Sequence, residues 1–235
     1  MRVKILTAVF VVGGLLIFST GCDICDLLNC PSPGPEPGPG PGPGPGKVLF
    51  FDDFEDGPDP AWSAASGTWI TQEGRYTIQE EKDAWLSTYV KTKDSLQWRD
   101  YAVEVDVFNG DLDWEGAIII RAQDDRNKVM LRWQHDRNLS LDIWKDGRSK
   151  RCNDAIVHPG LTTRTRIRIE AVGSVYTVYV RQGEQGELIK RLWCEDETFS
   201  KGMPGLAIRE SISIYGPYKE GITSFDNFKV ISLEQ

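Results

Sequence analysis

The chain has 235 residues, with 35 acidic and 27 basic side chains and a formal net charge of −8. That balance argues against a nucleic-acid or anionic-lipid surface, because both need a basic field. Two of the basic and three of the acidic residues lie before Lys47, so the 189 residues from Lys47 onward carry 25 basic and 32 acidic groups, enough chain for a single substantial core without metal or partner.

The chain opens with Met1-Arg-Val-Lys4 and continues as an apolar run from Ile5 to Phe18, followed by Ser19-Thr-Gly-Cys22. Two basic residues, a short apolar stretch and small residues before a cleavage point are the parts of a secretory signal. A spanning helix would need about 20 apolar residues. Ser19-Thr-Gly-Cys22 resembles the bacterial lipobox, whose cysteine receives a diacylglycerol thioether. The resemblance implies a signal peptide over 1–21, lipidation and acylation (palmitate) of Cys22, and a lipid-anchored, extracytoplasmic protein in the cell envelope. Two or three acyl chains, at about 0.8 kcal/mol per buried CH₂, make an anchor that hardly dissociates. Asp23 resembles an inner-membrane retention signal of enteric bacteria, and the choice between cell membrane and outer membrane stays open.

Residues 22–46 form a linker, and from Pro31 to Gly46 it holds eight prolines and six glycines. Proline at every second position denies both helix and sheet hydrogen bonds, so the stretch cannot form a core. As polyproline II it would reach at most about 50 Å. Its expected role is to hold the domain at 47–235 clear of the membrane.

With Cys22 used by lipid, Cys25, Cys30, Cys152 and Cys194 remain, an even number in an exported chain. Cys25 and Cys30 are available to pair locally, and Cys152 and Cys194 to bridge strands or loops of the domain. Zinc is not expected, since the only histidines are His135 and His158.

Period-two alternation predicts strands at 75–79, 85–89, 101–108, 117–122, 128–134, 139–144, 164–171, 176–181, 188–193, 205–209 and 225–233. Turn residues separate them, including Glu73-Gly74, Asp124 to Asn127, Asp146-Gly147 and Gly173-Ser174. In 101–108, Val103, Val105 and Val107 point inward and Glu104 and Asp106 outward; Ile167 and Ile169 repeat the pattern against Arg166, Arg168 and Glu170. Short alternating strands joined by short turns predict an all-β fold of two antiparallel sheets packed face to face.

Phe50-Phe-Asp-Asp-Phe-Glu-Asp-Gly57, Trp62, Gly67-Thr-Trp69, Glu73-Gly-Arg-Tyr76, Gly116 to Gln123 and Phe225-Asp-Asn-Phe-Lys-Val230 occur in that order. Together they resemble the concanavalin A-like (laminin G-like) jelly-roll superfamily, near the bacterial group named for 3-keto-disaccharide hydrolases. The resemblance spans nearly all of 49–232 and implies a jelly-roll sandwich with neighbouring first and last strands. It also implies a structural calcium ion held by Asp53 and Asp226, with Asp52 and Glu55 nearby. Calcium takes six to eight oxygens, so carbonyls or water would have to complete such a shell. The fold itself hosts binding modules, glycosidases and lyases.

A glycosidase needs two carboxylates about 5 to 9 Å apart across the scissile bond. Glu104-Val-Asp106 lacks the third acid of the jelly-roll glucanase pattern and reads as a wet face. In the acidic loop Asp111-Leu-Asp113-Trp-Glu115, Asp113 or Glu115 beside Trp114 is the local alternative for catalysis. No serine or cysteine nucleophile accompanies His135 or His158 in a recognisable elbow. The basic stretch from Lys145 to Arg151 is interspersed with acid and reads as a solvated turn.

Eight tryptophans are many for a domain of this length. Trp62, Trp69 and Trp85 stand at family-like positions that favour burial, and the alternation places Trp133 in the core. Trp144 shares the outward parity with Ser140 and Asp142. Sugars offer apolar C–H patches and hydroxyls, so an indole beside charged groups stacks a ring and hydrogen-bonds its edge. The expected ligand surface is Arg121, Arg132, Gln134, Asp142 and Trp144 on the concave sheet, edged by Trp114, Tyr215 and Tyr218. The function this predicts is a non-catalytic, lectin-like domain for carbohydrate or polysaccharide. A jelly-roll glycoside hydrolase and a protein-binding or structural surface lipoprotein are the alternatives.

Overall fold

The computed structural model describes residues 46–79, 83–108, 114–133, 138–153, 156–157, 164–182, 185–210 and 223–234. Cys22, Cys25, Cys30 and the spacer through residue 45 lie outside the described residues, as do Asp111, Asp113, Gln134, His135, His158, Tyr215 and Tyr218.

The strands, in chain order, are β1 (Val48–Asp52), β2 (Trp62–Ala64), β3 (Trp69–Gln72), β4 (Arg75–Ile78), β5 (Leu86–Val90), β6 (Tyr101–Phe108), β7 (Trp114–Asp124) and β8 (Asn127–Trp133). They continue as β9 (Asn138–Lys145), β10 (Arg148–Arg151), β11 (Ile156–Val157), β12 (Thr165–Val172), β13 (Val175–Gln182), β14 (Ile189–Glu195), β15 (Met203–Glu210) and β16 (Ser224–Ser232). Two eight-stranded antiparallel sheets result. One runs β14-β13-β12-β6-β16-β4-β3, with β1 also on β16; the other runs β10-β9-β8-β7-β15-β5-β2, with β11 also on β9. This is an all-β, two-sheet antiparallel sandwich of the jelly-roll kind.

The inward residues of the two sheets make one core. Ile167 pairs with Val105 on one side and Val180 on the other, and Ile169 with Val103 and Val178. All six are buried. β-Branched residues suit a pleated surface, and each such side chain contributes roughly 1.5–3 kcal/mol on burial. Trp133 is buried in this core, as its parity predicts, and a Cβ on Gly116 would lie 2.1 Å from the Trp133 ring.

The first and last strands are neighbours, as expected. β1 pairs with β16 from Val48↔Ile231 to Asp52↔Phe228. Phe225 and Phe228 are both buried although three residues apart, because a register shift between Asp226 and Lys229 inserts a bulge with Asn227 at φ 52°. At the same end Phe54 stacks on Tyr76 with ring centres 4.9 Å apart, and Trp62 meets Phe228 edge-on at 4.9 Å. Asp52 ties this end together: one carboxylate oxygen accepts the N–H of Phe54 at 2.8 Å, the other those of Asp59 at 2.7 Å and the Trp62 indole at 2.8 Å.

The outward face of the first sheet is an ion-paired ladder rather than a wet one. Asp106 is 1% exposed and accepts hydrogen bonds from Arg166 at 2.8 and 2.7 Å, Arg164 at 3.0 Å and Asn227 at 3.1 Å. Burial pushes its pKa up, but the bonds and charges of Arg166 and Arg164 outweigh that and hold it below the usual carboxylate value. Glu104 pairs with Arg168, which also bonds Glu170 at 2.7 Å. Cys152, just past β10, and Cys194 in β14 form a disulfide with Cα atoms 6.0 Å apart, joining the edges of the two sheets.

Candidate functional site

The outward face of the second sheet differs from that of the first because small and apolar residues fill its centre. Ala117, Ile119, Ala122, Met130, Met203, Ala207 and Tyr89 form a buried cluster, with Trp85 and Trp144 packed against it. The strand registers explain this. Tyr89 faces Gly205, Gly205 faces Ile119, Ile119 faces Met130 and Met130 faces Asp142 across β5, β15, β7, β8 and β9. Gly205 is required there: a Cβ would lie 2.3 Å from the Thr88 carbonyl oxygen and 2.9 Å from the Tyr89 ring.

Over this floor lies Lys128, paired with Trp144 in the β8–β9 register and only 3% exposed. Its Nζ donates to Asp125 at 2.9 Å, Tyr89 Oη at 3.1 Å and Ser87 Oγ at 3.2 Å. Tyr89 in turn donates to Asp125 at 2.7 Å. The Lys128 ammonium is 5.8 Å from the centre of the Tyr89 ring and 6.0 Å from that of Trp144. Burial lowers the Lys128 pKa against the opposing pull of Asp125. Burial and the Asp125 carboxylate push the Tyr89 hydroxyl well above its usual range. Asp125 feels burial as an upward push, but Lys128 and Tyr89 bring it below the usual value. All three ammonium protons are therefore committed, and Lys128 serves as a neutralised brace beneath the indole.

Beside this brace opens a hollow of about 300 Å³ lined by Trp85, Asp125, Arg126, Lys128, Met130, Trp144 and Gly147. Two tryptophans, a methionine and a few fixed polar groups are the usual lining of a small-molecule site, at the lower end of the usual size range of about 300–1,000 Å³. Arg126 is set in place by the turns on either side. Its N–H bonds Asp124 at 2.7 Å and its Nη2 donates to the Asp146 carbonyl at 2.8 Å, while Gly147 N donates to the Arg126 carbonyl at 3.0 Å.

The expected ligand residues divide. Trp144 lines the hollow. Arg132 and Asp142 share its face but are bound to each other, with Arg151 3.7 Å from Asp142, and Asp142 is only 3% exposed. Gln134 lies outside the described residues.

Arg121 is a correction. It is fully buried, with no part on the ligand face. A register shift between Ile120 and Asp124 and a φ of 51° turn it away from the face its parity predicts. Its guanidinium donates to the carbonyls of Arg99 at 3.2 and 3.0 Å, Gly173 at 2.6 Å and Phe199 at 2.9 Å, and to Asp100 at 3.3 Å. It locks loops at one end of the sandwich.

Trp85 is corrected as well, since it packs on the outer cluster and lines the hollow rather than joining the main core. Leu86, Thr88 and Val90 alternate with Trp85, Ser87 and Tyr89, and both sets hold apolar residues, so parity left the direction ambiguous. Lys128 was not singled out from the sequence, although its parity with Met130 and Arg132 places it on this face. Asp125 and Arg126 read only as a turn. Glu115 is buried opposite Arg209, away from the hollow's lining.

Among the described residues no three His, Cys, Asp or Glu side chains gather to hold a metal ion. Asp53 accepts the Glu55 N–H at 3.4 Å. Asp226 accepts the Asn227 N–H at 2.6 Å, and burial, then the charges of Asp106 and Glu55, raise its pKa. Two carboxylates alone do not supply a calcium shell.

No protein-family model and no curated protein matches this sequence. Solved structures do. A carbohydrate binding module, CBM66, from Bacillus subtilis superposes with a TM-score of 0.56 at 16% identity, over 73% of this chain and 96% of that one. A Bacillus subtilis protein of unknown function with a galectin-like fold gives 0.57 at 11% identity, over 81% and 98%. A xylan beta-1,4-xylosidase from Bacillus halodurans gives 0.56 at 14% identity over 77% of this chain, which spans 39% of that enzyme. These likenesses establish the fold.

Proposed function

We propose that this chain is a cell-envelope lipoprotein whose sandwich domain is a non-catalytic carbohydrate-binding module, with its site in the hollow between Trp85 and Trp144. The observation that carries the reading is the hollow itself, in which two indoles meet a fixed arginine and an ion-paired lysine. Indole faces suit sugar C–H patches and the polar rim suits hydroxyls. A carbohydrate binding module among the structures of the same fold agrees with this use. So does the resemblance of the sequence to the group of 3-keto-disaccharide hydrolases, read at the level of fold and ligand class.

Binding is favoured over hydrolysis because, among the described residues, Asp125 and Asp142 on this face are occupied. Asp125 is bound to Lys128 and Tyr89, and Asp142 to Arg132 and Arg151. Neither is placed as a general acid beside a second carboxylate. Lipid on Cys22 and the proline-rich spacer would present the module outside the membrane, and calcium near Asp53 and Asp226 would pin the chain ends.

The test is binding of the protein to a panel of neutral and charged polysaccharides, with Trp144→Ala and Trp85→Ala variants. Selective retention by at least one glycan, weakened in both variants at unchanged melting temperature, supports the reading. Binding that ignores both substitutions places the site elsewhere, and release of new reducing ends would replace the module by an enzyme.

A further inference from the structure

The basic stretch that reads as a solvated turn in the sequence is built onto the hollow. Asp146 at φ 53° and Gly147 at φ 78° form a two-residue hairpin turn between Lys145 and Arg148. This tip is fastened to the β7–β8 turn: Asp146 N donates to Asn127 Oδ1 at 3.0 Å, beside the Arg126 contacts described above. Beyond the tip lies a second, larger depression of about 630 Å³, whose lining includes Arg126, Lys145, Asp146, Arg148, Lys150 and Asp196. Arg126 lines both hollows.

Four cations thus meet two carboxylates in the second depression. None of Arg126, Lys145, Arg148 and Lys150 takes part in an ion pair among the described residues. On the outward face of the first sheet, by contrast, Arg164 and Arg166 are paired with Asp106 and Arg168 with Glu104. All four side chains of β10, Arg148–Arg151, are exposed. A net charge of −8 repels polyanions at long range, whereas a local cluster of cations attracts anionic groups brought within a Debye length of about 10 Å.

We propose that the ligand is an acidic polysaccharide, one sugar seated against Trp144 and Trp85 and the chain passing Arg126 so that its carboxylate or sulfate groups meet Lys145, Arg148 and Lys150. The inference rests on the carbohydrate-binding reading and names its substrate class. An anionic lipid surface would use the cations but not the hollow between the indoles, whereas a charged glycan uses both.

The experiment is affinity electrophoresis of the full chain through gels containing polygalacturonate, dextran sulfate or neutral dextran. It compares wild type, Trp144→Ala and the double variant Arg148→Glu/Lys150→Glu, with melting temperatures as the folding control. Phosphatidylglycerol and phosphatidylcholine vesicles are run in parallel. The expected result is retardation by at least one of the two acidic polymers, weakened roughly tenfold or more in each variant and reduced as salt is raised. Retardation by neutral dextran alone, dependent on Trp144, overturns the acidic-ligand inference while keeping the carbohydrate function. No retardation by any glycan, here or on the wider panel, sinks both. Capture by phosphatidylglycerol vesicles beyond phosphatidylcholine, lost in the double variant and unaccompanied by glycan binding, assigns the basic groove to lipid and overturns the inference.

Discussion

The Lys128 ammonium sits 6.0 Å from the centre of the Trp144 ring while its protons are spent on Asp125, Tyr89 and Ser87. The lysine supports the indole from below and carries no free charge to a ligand.

That geometry makes Lys128 titrate in a particular direction. Its folded pKa lies below 10.5, so between the two values the unfolded chain binds more protons and stability rises with pH. Lys128→Met removes this dependence. In urea unfolding from pH 7 to 11, the stability of wild type minus that of the variant is expected to increase with pH. A difference that falls with pH would show that the folded protein holds the proton more tightly than the unfolded chain.

Arg121→Met should cost more than about 3 kcal/mol, because it strands buried carbonyls of Arg99, Gly173 and Phe199. In a domain of this size that is a fall of roughly 6–12 °C in melting temperature. Arg121→Lys should recover little of it, since an ammonium lacks the planar fork that reaches these acceptors together. If Arg121→Met melts as wild type does, the buried clamp is not what holds this end of the sandwich.

The Cys152–Cys194 bridge closes a sequence separation of 42 residues and links the two sheets. Chain entropy alone assigns about 4 kcal/mol to a loop of that length. The Cys152→Ser/Cys194→Ser pair, or reductant, should lower stability by up to that amount in chemical unfolding. An unchanged midpoint would mean that the packing of β14 and β10 suffices.

Asp226 tests the calcium proposal. Its folded pKa is raised above 3.8, so stability falls as pH rises through that window and the ionised carboxylate is a cost at neutral pH. In chelator at pH 7, Asp226→Asn should melt above wild type. If calcium binds there, adding it raises the wild-type melting temperature and not that of the variant. No calcium response in either protein removes the ion from the account.

Much of the sandwich was legible because alternation is a local property. The strand from Tyr101 to Phe108 matches residue for residue, and the inward valines, Ile167, Ile169 and Trp133 lie where parity puts them. β1, β2, β3, β10 and β11 were not read from alternation: β2 and β11 span only three and two residues, and β10, Arg148-Ser-Lys-Arg151, has no apolar position to alternate.

Sequence by itself determined the class of fold, the meeting of the chain ends, the cysteines available to bridge and the outward direction of Trp144. Those follow from period two, composition and the order of motifs. The tertiary structure decided what the outward positions do. One bulge at Arg121 turned an expected ligand contact into a buried clamp, because a single inserted residue reverses parity. Burial and long-range pairing made an ion-paired ladder of Asp106 and its arginines. Trp85 and Trp144 line one hollow only because β5 and β9 lie in the same sheet on opposite sides of β15, β7 and β8, a neighbourhood written in strand order rather than along the chain.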